Sequence, residues 1–339
     1  MLFQLGQNSK VREVLDRFPT KPSSPAYLCL HLAHDGYLLG PLDKVFPTHT
    51  AMHEALESIG LQAVANSPKN FVYTQQDLTP HQETVLGEKG LSILRKSNND
   101  GFVAAGVPIG SHAFVQNFLD DTLDGILKQL NWLREAATSS TLTSGCTKQT
   151  CVFIARLCIP SQLTYFLRTI PQEATQHIAE RLDRAIYLFI KTVMECDRFV
   201  EDDDVPSQNL FHRIFLPARM GGFSFVSSAS TARAAFVSSV ALVGTLIREI
   251  CPSIPTALAA SSRSTARSFA FENFSNCINK FKQRKFAAVE RISPVSIWTE
   301  KATQLQKAIK AELDLLCQQR AASRGHCMWI QVQPQHVPK

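Results

Sequence analysis

The residues of this 339-residue chain with the clearest chemical potential lie at 27–40, Tyr27-Leu-Cys-Leu-His-Leu-Ala-His-Asp-Gly-Tyr-Leu-Leu-Gly40. Two short apolar runs face each other across a His34-Asp35-Gly36 turn, the sequence signal of a β-hairpin with an acid at its tip. A carboxylate at such a turn can project into a cleft, and enzymes that transfer nucleotidyl groups use such carboxylates to hold two divalent ions over the reacting phosphate. Asp35 supplies one acid, but the neighbour that would supply the second is His34. Mg2+ takes hard oxygen ligands, whereas a neutral imidazole suits softer transition metals. Asp35 therefore has two readings, a residual catalytic and metal ligand or simply the turn residue that an Asp-Gly hairpin favours. For His34 the plainer reading is a partly exposed loop histidine.

Other candidate groups are more scattered. His49 and His53 stand four apart and would share a helix face, half of a possible metal site, although no acid or thiol partner lies close by in sequence. The nine cysteines are odd in number, and the closest group, Cys146, Cys151 and Cys158, fits neither a zinc ribbon nor a thioredoxin-like pair, so buried free thiols are expected. Gly106 to Gly110 reads as a strand-to-helix transition, and a phosphate at the Ser111 helix start would meet amides that lack partners. No Gly-Lys-Ser follows, so nucleotide hydrolysis is not indicated.

The formal charge of +6 is unevenly spread: Arg263 to Lys339 holds 13 Lys and Arg against 5 Asp and Glu, leaving 22 against 24 in residues 1–262. Within that tail, Lys280, Lys282, Arg284, Lys285 and Arg291 form the kind of surface that gains affinity for a polyanion by releasing its counterions. A solvated helix face accounts for the same run. Phe269, Phe271, Phe274, Phe281 and Phe286 interleave with it and could stack on bases, although core packing explains phenylalanines more simply.

The elements that must position these groups follow from periodicity. Residues 1–25 read as a short helix and an irregular lead-in that carries no core, closed by Pro19, Pro22 and Pro25. Strands are expected at 26–32 and 37–40, then an amphipathic helix from Pro41 to Gly60 that Pro47 can bend, then strands at 61–65, 71–73 and 102–107. Residues 74–100 read as a surface excursion with at most a short helix. From Ser111 a long helix begins, with Phe114, Phe118, Leu119, Leu123, Ile126, Leu127, Leu130 and Leu133 recurring at three and four. Further helices are placed near 146–158, 161–170, 172–196, 228–250, 264–289 and 295–322, with an extended piece at 210–215 and a sharp turn at Gly221-Gly222. Strand-rich and helix-rich runs in succession imply an α+β fold: a small antiparallel sheet with helices in the N-terminal third, then a mainly helical remainder. With 45% hydrophobic residues the chain can bury a sizeable core, and no uninterrupted apolar run reaches the roughly 18 residues of a membrane span. The N-terminus lacks a secretion signal, so no membrane partner and a cytoplasmic or nuclear location are expected.

The ordered set of motifs resembles the distal half of a reverse transcriptase of the non-long-terminal-repeat retroelement type. In that family a Tyr-x-Asp-Asp hairpin is followed by a Gly-Pro turn, an amphipathic helix, a Pro-Ser-Lys-like loop, and a strand leading into Gly-x-Pro-Ile-Gly. This chain has Leu32-Ala33-His34-Asp35, Leu39-Gly40-Pro41, Glu54–Gly60, Ser67-Pro68-Lys69 and Gly106-Val107-Pro108-Ile109-Gly110 in that order. Leu167-Arg168-Thr169-Ile170-Pro171, Leu216 to Phe223 and Cys327 to Pro334 look like the helical region that follows the polymerase.

The resemblance implies a partial palm over 26–110, a helical thumb over 111–205 and a connector with a basic end over 206–334. It places Lys69 near an incoming triphosphate and the strand bearing Gly106 and Gly110 against a primer end. It also places the palm's other metal-binding Asp and the fingers well upstream of the hairpin, whereas 26 residues precede Tyr27 here. The expectation is a degenerate, truncated RNA-directed DNA polymerase relative, inactive alone. Mg2+ enters only if activity remains, RNA or DNA is bound weakly and without sequence preference, and a missing upstream polymerase segment is a further possible partner. The alternative is a helical interaction module that uses the 111–137 and 295–322 helices and has no nucleic-acid role.

Overall fold

A computed structural model describes residues 11, 13, 14, 17, 28–32, 35–40, 42–60, 70–74, 77–95, 98, 100–139, 147–195 and 205–250. His34, Lys69, Cys146, the 61–65 strand, the 264–289 and 295–322 helices, and the basic positions Lys280, Lys282, Arg284, Lys285 and Arg291 lie outside these residues. What is described is mostly helical with a few short strands, an α+β composition.

The first two strands, β1 (Leu28–Leu32) and β2 (Asp35–Leu39), pair antiparallel in a register running from Leu28↔Leu39 to Leu32↔Asp35. Asp35 is thus the first residue of the second strand, one position past the expected tip, because its pairing with Leu32 leaves two residues for the connection. Helix α1 (Leu42–Glu57) follows, with Pro47 inside it, and closes at Gly60, where φ is 79°. Val11 and Val14 are buried with Met52 of α1, so the N-terminal lead-in does contribute to a small core.

The expected surface excursion is instead a crossover unit. Strand β3 (Phe71–Thr74) leads through helix α2 (Pro80–Glu88) to β4 (Ser92–Arg95), which pairs with β3 in parallel. A helix between two strands returns the chain to the same end of the sheet, which makes the pairing parallel. Thr79 and Gln82 form a reciprocal capping box at the start of α2, with Pro80 in the first turn. The expected strand at 102–107 is a second hairpin, β5 (Gly101–Ala104) and β6 (Val107–Gly110), that reverses at Ala105-Gly106. Among the described residues the strands therefore form three separate two-stranded pairs, one of them parallel, rather than one small antiparallel sheet.

The principal core belongs to four helices: α3 (His112–Thr138), α4 (Lys148–Thr169), α5 (Gln172–Val193) and α7 (Ser228–Ile250). Helix α3 packs on α4 and α5, and α7 packs on the same two. Gln116 contacts the Ala174 carbonyl, and Arg181 reaches Asp120 and Asp124, so α3 and α5 run the same way. Lys148 at the start of α4 pairs with Glu195 just past α5, so those two run oppositely. Buried Leu119, Leu123, Ile126 and Leu130 of α3 meet Ile178, Leu182, Ile186 and Ile190 of α5 in the shared core. These residues recur every three or four positions, which builds one apolar stripe per helix.

Two expected helices at 146–158 and 161–170 are one, since Pro160 lies inside α4 and is buried. Proline removes one helical hydrogen bond, but buried Cys151, Ala155, Ile159, Leu163 and Leu167 carry the stripe across it. Cys158 on the same helix is exposed, contrary to a buried thiol. The extended piece at 210–215 is mostly helix α6 (Val205–Ile214), whose Ile214 enters the core and whose Leu210 and Phe211 pack against it. The Gly221-Gly222 turn does form: Gly221 has φ of 76°, and a side chain on Gly222 would collide with the Leu216 carbonyl. Among the described residues α4 alone is long and apolar enough by length and composition to cross a membrane, although Arg156 and Arg168 interrupt its apolar run and it packs as a helix of the bundle, with a third of that stretch buried inside the fold.

Candidate functional site

The hairpin β5–β6 and the helix ends that hold it bring together more of the sequence-derived candidates than any other part of the described chain. Its turn puts two residues in the left-handed region, Ala105 at φ 50° and Gly106 at φ 80°. A two-residue hairpin turn with positive φ at both positions matches the twist of its strands, and glycine adopts it without steric cost. The Tyr165 hydroxyl of α4 donates to the Ala105 carbonyl at 2.6 Å, fixing the turn to the bundle.

The open end of the hairpin is fixed by close approach. A Cβ on Gly110 would fall 2.6 Å from the Gly101 Cα and 2.9 Å from the Asp100 carbonyl, and one on Gly101 would overlap the Phe114 ring of α3. Ser111 follows directly, and its hydroxyl accepts from the Phe114 amide at 3.1 Å, capping α3 as its sequence position implies. Gly106 and Gly110 thus each have a packing role, one at either end of the ribbon. Val103 and Ile109 leave apolar side chains exposed between them.

Aromatic contacts extend this unit towards the parallel pair. The Phe102 ring lies 4.9 Å from that of Phe71 and 5.4 Å from that of Tyr73. The Tyr73 hydroxyl is pushed up from its ordinary pKa, first by burial and then by the Asp100 carboxylate. Asp100 also accepts from the Arg95 amide at 2.9 Å, and the Arg95 guanidinium pairs with Glu83 of α2. Strand pairs β3–β4 and β5–β6 are joined in this way, and β6 in turn packs on α3.

Asp35 is located at the start of β2, and α1 packs against that strand. Among the described residues no three His, Cys, Asp or Glu side chains converge to hold a metal ion. The two imidazoles of α1 lie together with ring centroids 4.2 Å apart. His49 is held down to a pKa of about 4, first by burial and then by His53 and Lys89.

The sequence reading missed the residue that fixes the fourth helix. Asp183 is an acid on the buried side of α5, and it reaches the first turn of α7: Ser227 Oγ donates to it at 2.6 Å, the Ser228 amide at 2.8 Å and the Ala229 amide at 3.2 Å. Ser227 accepts in turn from the Ser230 amide at 3.0 Å, and its carbonyl takes the Thr231 amide at 3.1 Å. The four donors that open a helix are all satisfied. Burial nevertheless pushes the Asp183 carboxyl up to about 6, with Glu180 adding repulsion and the three hydrogen bonds opposing the rise. The signal in the sequence was an acid beside Leu182 and Ile186, where a charge has to find buried donors. Tyr165 had no comparable signal, since its partner is a main-chain carbonyl sixty residues away.

Comparison with protein-family models, with curated proteins and with solved structures finds no match in any of the three.

Proposed function

We propose that the chain is a degenerate reverse-transcriptase-like protein of retroelement origin that binds RNA or DNA without sequence preference and does not polymerise by itself. The observation that carries this reading is the β1–β2 ribbon, with Asp35 opening its second strand directly after His34, where the resembled family has paired acids. The order of elements after it supports the same reading: a helix, a short strand, and a hairpin of Gly106 and Gly110 that leads into a long capped helix. In this reading residues 26–110 correspond to part of a palm, 111–205 to a thumb and 206–334 to a connector.

Binding is assigned to Lys280, Lys282, Arg284, Lys285 and Arg291, with Lys69 and the Gly106–Gly110 ribbon beside the strand end. Loss of one metal-holding carboxylate accounts for lost chemistry, since disturbing even an outer partner of a metal commonly costs about 10–100-fold. Asp35 alone would offer Mg2+ one protein oxygen group, too few to hold two ions.

The test is primer extension with Mg2+ on the chain and on a His34→Asp variant, alongside fluorescence anisotropy with single-stranded oligonucleotides at two salt concentrations. Affinity that falls steeply with salt and ignores sequence is expected, with no extension by the unmodified chain. A binding constant unchanged by salt, or extension without the variant, removes the proposal.

A second reading, a helical interaction module, is favoured by α4, whose outer face exposes Phe153, Ile154 and Leu157. Co-purification with a protein partner and no bound nucleic acid would select it.

A further inference from the structure

Helix α1 carries His49 and His53 one turn apart, and a half-buried position keeps both side chains on the same face. Their ring centroids are 4.2 Å apart with planes inclined by 39°. Among the described residues neither imidazole makes a hydrogen bond or an ion pair, and each has the other ring as its neighbour.

We infer that His49 and His53 form a two-ligand site for a borderline transition-metal cation such as Ni2+ or Zn2+, with water completing the coordination. Imidazole suits these ions, whereas Mg2+ prefers oxygen ligands, so the site is distinct in kind from the one Asp35 would belong to. No third His, Cys, Asp or Glu converges on the pair among the described residues, which makes the site open rather than closed and structural. Side chains four residues apart on a helix are neighbours, about 5–6 Å apart at Cβ, a separation that side-chain rotation could close onto one ion, and the helix holds the two Cα atoms at fixed separation. Lys89 lies beside the pair: its Nζ donates to Thr50 Oγ1 at 2.8 Å and sits 4.6 Å from the centre of the Phe46 ring. An ammonium so placed opposes a second cation and tunes the affinity downward. The inference rests on α1 and Lys89 and is independent of the proposed ancestry.

The experiment is isothermal titration of the chelator-treated full chain with NiCl2, ZnCl2 and MgCl2, each alone. Ni2+ is expected to bind more tightly than Zn2+, following the general order of divalent affinities, with no heat from Mg2+ at matched concentration. His49→Gln and His53→Gln should each weaken Ni2+ by about 10–100-fold or more, the scale on which even outer-shell changes act. Lys89→Gln should tighten it, and His81→Gln, an exposed histidine on α2, should leave it unchanged. Diethyl pyrocarbonate labelling with peptide mapping needs no variant: Ni2+ should protect His49 and His53 together while His81 reacts. Absence of Ni2+ and Zn2+ binding, equal affinity in both variants and the parent, or labelling of the pair undiminished by metal would overturn the inference.

Discussion

Leu119, Leu123, Ile178, Leu182 and Ile186 of the bundle are fully removed from solvent, whereas along strands β3 to β6 only Pro108 is buried. The helices each bring a stripe of apolar side chains to one shared interior. The strand pairs bring two short strands apiece, and an isolated two-stranded pair is marginal in water unless something packs on it. What packs here is specific and sparse: the Phe102 contacts with Phe71 and Tyr73, the Gly101 approach to Phe114, and the Tyr165 hydroxyl on the hairpin turn. Folding free energy is therefore concentrated in the bundle, and the strand region borrows its order from α3 and α4. The Gly106–Gly110 ribbon, to which nucleic-acid contact is assigned, sits in the region with the smaller reserve.

Breaking the bundle should have the largest effect. Leu182→Ala empties space at the centre of the shared core and should cost about 2–5 kcal/mol, read as a lower urea midpoint for the whole helical signal. A loss confined to the strand region would contradict the comparison.

Asp183→Ala comes next, because it removes one acceptor group and strands three donors at the start of α7, the Ser228 amide buried and the other two half-buried, at about 1–3 kcal/mol. The same residue sets a pH dependence. Its folded pKa, about 6, lies above the ordinary carboxylate value of 3.8, so between these the folded chain holds a proton that the unfolded chain has released. This group's contribution is thus fully present below about pH 4 and is lost as pH rises through 6. Urea midpoints of the chain and an Asp183→Asn variant, compared at pH 5 and pH 7, should differ in slope in that direction.

Gly101→Ala should act locally, since its new methyl would meet the Phe114 ring: about 1–3 kcal/mol of overpacking, felt as faster amide exchange in β5 and β6 while the α5 amides stay protected. Tyr165→Phe is the gentlest change, removing one hydrogen bond worth about 1 kcal/mol. It should loosen the Ala105-Gly106 turn and leave the helical unfolding midpoint nearly unmoved. If the Tyr165 variant lowered that midpoint as much as Leu182→Ala, the two regions would be one cooperative unit rather than a core and its dependant.

The helices were legible wherever one apolar stripe ran unbroken. The start of α3 at Ser111 and the span of α7 followed from a capping residue and a period of three to four. Pro160 misled because local chemistry says break, while burial on both sides of it says continue. Residues 210–215 looked extended because Leu210, Phe211, Ile214 and Phe215 are also close enough to read as a short apolar run. Strand β4 was missed for a related reason: Ser92–Arg95 is four residues long, and its partner β3 is more than fifteen residues upstream. Of the candidate site, Gly106 and Gly110 fall at the two ends of one ribbon, whereas Lys69 and the basic tail lie outside the described residues.

Local periodicity and capping, which depend on neighbours within a turn or two, were enough to determine a strand-bearing first part and a helical second part. They were also enough to mark residues 28–39 as a ribbon with an acid beside a histidine. Only tertiary structure decided that β3 and β4 run parallel, that Pro160 lies within a helix, and that Asp183 anchors a helix forty-five residues away. Each of these depends on what a residue meets across the fold, and the free energy of burial and of satisfied buried donors is set by that distant partner.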